Sequence, residues 1–147
     1  MKIFGAATVF QVKNLETSLK FYRDILGFVE DFQFGEYAGV HLGELHLHLC
    51  AHTVWKRPSG GGSVSVFGDE VDTYYTTLRS RGAKIELEPA DEPYGMRDFV
   101  VSDPDGNLLT FGCELSAGRG ATPEVDSREA AQMETRLKQA RPARAKS

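Results

Sequence analysis

The sequence predicts an α+β protein assembled from two tandem βαβββ modules. Three observations carry that prediction: a capped amphipathic helix pattern that occurs twice, one short strand pattern before and three after each copy, and a glycine-rich join between the copies. The copies repeat at about 55 residues, the length of one supersecondary unit that has to bury its apolar face against a neighbour.

Thr8 to Val12 alternates as a first strand does. Asn14 follows as a helix N-cap, and Leu15, Leu19, Tyr22 and Leu26 fall at i, i+4, i+7 and i+11, on one helical face. Gly27 supplies the C′ stop. Strands are then expected at Phe28 to Phe32, Tyr37 to Leu42 and Leu45 to Cys50. The second copy repeats the design with a strand at Ser63 to Phe67, Asp69 as cap, and Val71, Tyr74, Tyr75 and Leu78 on the apolar face before Gly82. Each helix runs 13 residues from cap to glycine on this reading. Strands at Lys84 to Glu88, Arg97 to Ser102 and Asn107 to Gly112 complete it, the last two joined by the turn Asp103-Pro104-Asp105-Gly106.

Ala51 to Gly62, with Pro58 and three glycines, reads as a flexible linker. The expected organisation is therefore one domain over 1–116, with module one at 1–52, a linker at 53–62 and module two at 63–116, followed by a tail at 117–147. The tail turns to Gly, Ala, Arg and Pro, with one helix pattern from Asp126 to Ala140. Its expected state is disorder, or a helix lying on a partner surface.

The 147 residues carry no apolar run near the roughly 20 residues of a membrane-spanning helix, and the first ten flow into strand sequence, so a soluble, cytoplasmic protein is expected. Cys50 and Cys113 lack any CxxC spacing and read as free thiols. Up to Ser116, 10 Lys/Arg against 17 Asp/Glu leave −7, whereas 7 against 4 in the tail give +3. An acidic body disfavours nucleic acid and suits a cationic small molecule, although charge also serves plain solubility.

Three stretches carry a family resemblance. "VKNLETSLKFYRDILGF" resembles the first helix of the glyoxalase/bleomycin-resistance/extradiol-dioxygenase superfamily, the vicinal oxygen chelate proteins. "GFVEDFQFGEYAGV" and "EPYGMRDFVVSDPDGNLLTFG" are similar to its bleomycin-resistance branch, over roughly Thr8 to Leu115 in all. The resemblance implies curved mixed sheets around a cavity, and a homodimer in which the modules of one chain pair with those of a second. A lone chain would leave apolar strand faces open to water, which points the same way.

In the superfamily's metalloenzymes one side chain from the first and one from the last strand of each module hold a divalent ion. The matching positions here are Ala7, Ser63 or Gly62, His48 and Phe111, of which only His48 ligates well. No cofactor is therefore expected, and a divalent metal bound through His48, or within the His41, His46, His48 and His52 group, is the alternative. His46 and His48 share a strand face and read as polar cavity-lining residues, with Leu45, Leu47 and Leu49 packing on the helix.

Relatives in the bleomycin-resistance branch clamp a planar cationic drug between aromatic rings. The clamp positions resemble Tyr37 and Tyr94, the latter standing where tryptophan is usual, with Trp55 as a third wall and Phe111 as an apolar floor. These aromatics read alternatively as packing over core edges. Arg97 either pairs with Asp98 or another carboxylate, or reaches an acidic group of the ligand. The leading expectation is metal-independent sequestration of a planar aromatic small molecule. The alternatives are a metal-dependent lyase, isomerase or dioxygenase using His48, and a non-catalytic interaction module whose tail docks a partner.

Overall fold

The computed structural model describes residues 1–115, 134–136 and 138. The chain runs β1 (Thr8–Gln11), α1 (Leu15–Lys20) continued by a π-helical turn (Phe21–Ile25), β2 (Val29–Phe34), β3 (Tyr37–Leu42) and β4 (Leu45–Cys50). After a single 3-10 turn (Thr53–Trp55) come β5 (Ser63–Phe67), α2 (Val71–Ser80), β6 (Lys84–Asp91), β7 (Met96–Ser102) and β8 (Leu108–Glu114). Two four-stranded sheets result, ordered β1-β4-β3-β2 and β5-β8-β7-β6. In each, the first strand lies parallel to the last and the remaining pairs are antiparallel. This is the α+β, twice-βαβββ architecture. The helix expected over 126–140 falls largely outside the described residues; Glu134, Thr135, Arg136 and Lys138 are helical.

The two helices differ in a way the sequence spacing conceals. Asn14 caps α1 as expected, its side chain accepting the Thr17 N–H at 2.8 Å. In the second copy Asp69 is not the cap: Glu70 precedes α2 in a left-handed conformation (φ 48°) and makes no side-chain cap bond. The distance from cap to glycine is thus 13 residues in module one (Asn14 to Gly27) and 12 in module two (Glu70 to Gly82). A π turn absorbs the extra residue. The Leu26 N–H reaches five residues back to the Phe21 carbonyl, and Tyr22 and Leu26 both stay fully buried.

Alternation along the strands sends one set of side chains to the helices. Phe10, Ala38, Val40, Leu47 and Leu49 from sheet one join Phe99, Val101, Leu109 and Phe111 from sheet two in one apolar cluster with Leu15, Leu19, Tyr22, Leu26, Val71 and Leu78. Each fully buried side chain of this size contributes about 1.5–3 kcal/mol. The helices also touch end to side: Tyr74 Oη donates to the Leu26 carbonyl at 2.7 Å, and Arg81 donates to the Ile25 carbonyl at 3.2 Å. These bonds satisfy carbonyls that the end of the first helix would otherwise leave unpaired.

A buried polar knot completes the joint. Asp103 Oδ1 accepts the N–H groups of Asp105, Gly106 and Asn107, each at 2.9 Å, and Oδ2 accepts Tyr22 Oη at 3.0 Å and Asn107 Nδ2 at 2.8 Å. Asn107 also donates to the Gln11 carbonyl and accepts the Gly62 N–H at 2.8 Å. Burial, with the Asp103 charge second, pushes the Tyr22 phenol well above its ordinary pKa, so it stays a donor. The expected flexible linker is consequently anchored at its end. A Cβ on Gly62 would stand 2.5 Å from the Phe10 ring, and one on Gly60 (φ 82°) 1.9 Å from the Asp105 carbonyl oxygen. Among the described residues no helix is long and apolar enough to cross a membrane.

Asn107→Ala removes one acceptor and two donor bonds from a fully buried site, and is expected to lower unfolding stability by roughly 2–4 kcal/mol. Urea denaturation measures this; an unchanged midpoint contradicts the role assigned to the knot.

Candidate functional site

The strand faces turned away from the helices carry the chemistry. On β4, Leu47 and Leu49 point inward, which leaves His46 and His48 on the open side. Register sets His48 beside Gly39 of β3 and Val9 of β1. The β2–β3 ladder slips between Glu30 and Phe32, so Asp31 is the extra residue of a β-bulge. A bulge turns two successive side chains toward one face, and here Asp31 and Phe32 both reach the open side. Phe32 lies over Gly39, where a Cβ would stand 2.3 Å from its ring.

An aromatic cluster follows from that close approach. Phe32 stacks on Tyr37 (centroids 6.3 Å, planes 15° apart) and meets His48 edge-on at 5.3 Å, while Tyr37 meets His48 at 5.4 Å. Tyr37 Oη and His48 Nδ1 are hydrogen-bonded at 2.9 Å. Desolvation, with the neighbouring Cys50 second, raises the Tyr37 phenol above its usual pKa and keeps it protonated at neutral pH. Phe32 remains 40% exposed, so the cluster is a surface on which a ring can lie.

Module two offers a different surface. Ser65, Phe67, Tyr94, Met96, Asp98 and Thr110 line a recess of about 270 Å³. Tyr94 Oη donates to the Asp98 carboxylate, which is only 7% exposed. Burial and that carboxylate push the Tyr94 phenol far above its ordinary pKa. Beside it, the buried Glu92 pairs with Arg136 of the tail.

The expected site residues separate into those on these faces and those elsewhere. Tyr37 and His48 are brought together, Tyr94 borders the recess, and His46 lies on the open face beside His41. Trp55 stands on the 3-10 turn, 68% exposed. Phe111 turns to the helix side by alternation, against Tyr74 (5.0 Å) and Phe99 (5.6 Å), where it borders a separate cavity of about 550 Å³ together with Leu42, Leu45, Val71 and Tyr74. Its neighbour Thr110, opposite Ser65, takes the open-face place that His48 holds in module one. Arg97 does not pair with Asp98, because successive strand residues face opposite ways. Its guanidinium binds Asp72 at 2.9 Å and Asp91 at 2.8 Å. That bond to Arg97 holds the Asp72 carboxyl below the usual range.

At the positions that match the superfamily's four ligands the chain carries Ala7, Ser63 or Gly62, His48 and Phe111, and of these side chains His48 is the one with a good metal donor. Two residues stand out that the sequence reading did not place in the site. Phe32 is read from the sequence only as the end of a strand, although the isolated Gly39 within a strand was a readable sign of close approach. Asp98 was read only as a partner for Arg97.

Two mixed sheets with helices on one side, and recessed aromatic faces on the other, define a two-module βαβββ protein of the small-molecule-pocket type. The chain belongs to the Glyoxalase/Bleomycin resistance protein/Dioxygenase superfamily, whose family model matches residues 6–111. It is similar to the bleomycin-binding protein from bleomycin-producing Streptomyces verticillus, solved with copper(II)-bleomycin, at 25% identity and TM-score 0.62 over 76% of this chain and 96% of that one. A superfamily member from Sphaerobacter thermophilus aligns at 26% identity and TM-score 0.67, over 77% and 98% of the two chains. One from Nocardioides aligns at 23% and 0.67, over 84% and 91%, a likeness of fold. A search of curated proteins by sequence finds no match.

Gly39→Ala is expected to displace Phe32 and cost about 1–3 kcal/mol of stability. Near-ultraviolet circular dichroism and urea denaturation check both effects; an unperturbed aromatic signal contradicts the packing described.

Proposed function

We propose that the protein binds a planar aromatic small molecule and holds it unaltered, without a metal, between the open face of module one and that of module two. The observation that carries this reading is the half-exposed Phe32, Tyr37 and His48 cluster, matched by the Tyr94 recess in the other module. Each stacking contact contributes about 0.5–1.5 kcal/mol, and a cationic ring or substituent gains a comparable cation–π term. The buried Asp98 and the acidic body favour such a cation.

Two chains form the pocket in this reading, module one of one facing module two of the other in a two-fold homodimer. Support comes from apolar side chains that a single chain leaves in water, among them Val9, Phe34 and the 77% exposed Phe67. Free Cys50 and Cys113 accord with a cytoplasmic setting, where thiols stay reduced.

Fluorescence titration of chelator-treated protein with bleomycin and other planar cations tests the reading. Saturable quenching is expected, with Tyr37→Ala and Tyr94→Ala each weakening it at least tenfold, or about 1.4 kcal/mol. Binding that requires added metal, or is indifferent to both substitutions, contradicts it. Sedimentation velocity is expected to give a dimer.

A further inference from the structure

The cavity that Phe111 borders lies between the modules, away from the aromatic cluster. Its volume of about 550 Å³ falls within the roughly 300–1,000 Å³ of small-molecule pockets, and both modules wall it. The β3–β4 hairpin contributes Leu42 and Leu45, and module two contributes Val66, Val71, Tyr74 and Phe111. All six belong to the apolar cluster or pack against it, so the core behind them fixes the lining. The Tyr74 hydroxyl is already engaged with the Leu26 carbonyl at 2.7 Å. What this wall offers a ligand is hydrocarbon.

The polar part of the lining carries one sign of charge. Glu44 occupies the hairpin turn between the paired Leu42 and Leu45, and Asp69 and Glu70 precede α2. All three are exposed, none is ion-paired with another described residue, and no Lys, Arg or His is among the described residues that line the cavity. Asp69 and Glu70 complement the start of α2 with or without a ligand. Glu44 has no such helix to serve: it comes from the other module, and the fold brings it to the same rim. Glu70 is held at φ 48°, where a residue other than glycine is strained, and makes no side-chain cap bond in return. The space beside these groups is open, since a Cβ on Gly43 or Gly68 would meet nothing within 4 Å.

We infer that this cavity binds an alkylammonium ion, its aliphatic body lying on Leu42, Leu45, Val66 and Val71 and its charged head meeting Glu44, Asp69 and Glu70. Burial of hydrocarbon holds the body, and three unpaired carboxylates select the cation. A neutral molecule of the same shape gains nothing from the rim, and an anion meets like charge there. Each exposed carboxylate contributes modestly, so the discrimination comes from the convergence of three. The site does not depend on the aromatic-binding reading, since neither Tyr37 nor Tyr94 lines it.

Titration of the isotope-labelled full chain with octylammonium, below its micelle concentration, tests the inference by nuclear magnetic resonance. Saturable shifts are expected at the Gly43, Gly68 and Val71 amides. Octanoate, with the same body and the opposite charge, should bind more weakly by about tenfold or more. The combined Glu44→Gln, Asp69→Asn and Glu70→Gln variant should weaken octylammonium binding by roughly tenfold and remove its preference over octanoate. Thr73→Trp, at an exposed position of the cavity wall, should fill the space and abolish binding of both. Tyr37→Ala and Tyr94→Ala should leave octylammonium affinity unchanged, which separates failure here from failure of the aromatic-binding reading. Far-ultraviolet circular dichroism verifies that each variant is folded, and the comparison of octylammonium with octanoate on the unaltered protein decides the matter where one is not. Absence of saturable binding, equal affinity for the two ions, or shifts confined to the open strand faces overturns the assignment.

Discussion

Everything in this molecule depends on the joint between the modules. Asp103 and Asn107 gather the turn before β8, the end of β1, the close of the linker and Tyr22 of the first helix into one buried hydrogen-bonded unit. Buried polar groups of this kind are costly unless every member is satisfied, and satisfied they fix a single arrangement. Around that unit the inward strand faces and both helices share one apolar cluster. The helices thereby use up one face of each sheet. The other face of each sheet is left with Val9, Phe34 and Phe67 in water, and these faces carry the aromatic and histidine chemistry.

The modules share a plan and differ in equipment. Module one presents rings and imidazoles on a surface made possible by a glycine and a bulge; module two presents a small recess around a buried carboxylate and a phenol. Neither surface alone encloses a ligand. A flat aromatic plate facing an acidic recess is complementary to a planar molecule bearing positive charge, which is why the proposed pocket draws one wall from each module. The cavity between the β3–β4 hairpin and the start of α2 stands apart from that plate: none of Phe32, Tyr37 and His48 lines it.

Much of the architecture was legible in the sequence because it rests on periodicity. Leu15, Leu19, Tyr22 and Leu26 mark one helix, and the β4 alternation of Leu45, Leu47 and Leu49 with His46 and His48 separates core from open face. What escaped depends on register, which a single strand does not reveal. Phe111 and Thr110 are adjacent, and a one-residue difference in alignment exchanges the helix side of the sheet for its open face. Arg97 and Asp98 illustrate the same rule, neighbours in sequence that serve opposite faces. The bulge at Asp31 and the π turn after Lys20 each insert one residue without any composition signal, so the equal cap-to-glycine spacing of the two helices was a coincidence of Asp69 preceding the true start.

The central claim is that each binding pocket takes one wall from each of two chains. Mixing Tyr37→Ala protein with Tyr94→Ala protein under conditions that exchange subunits tests it most directly, by counting sites for a planar cationic ligand. In the mixed dimer one pocket inherits both substitutions and the other inherits neither, so wild-type affinity should return at half of its sites. If the mixture binds no better than the two variants do separately, the pocket is contained within one chain and the account fails.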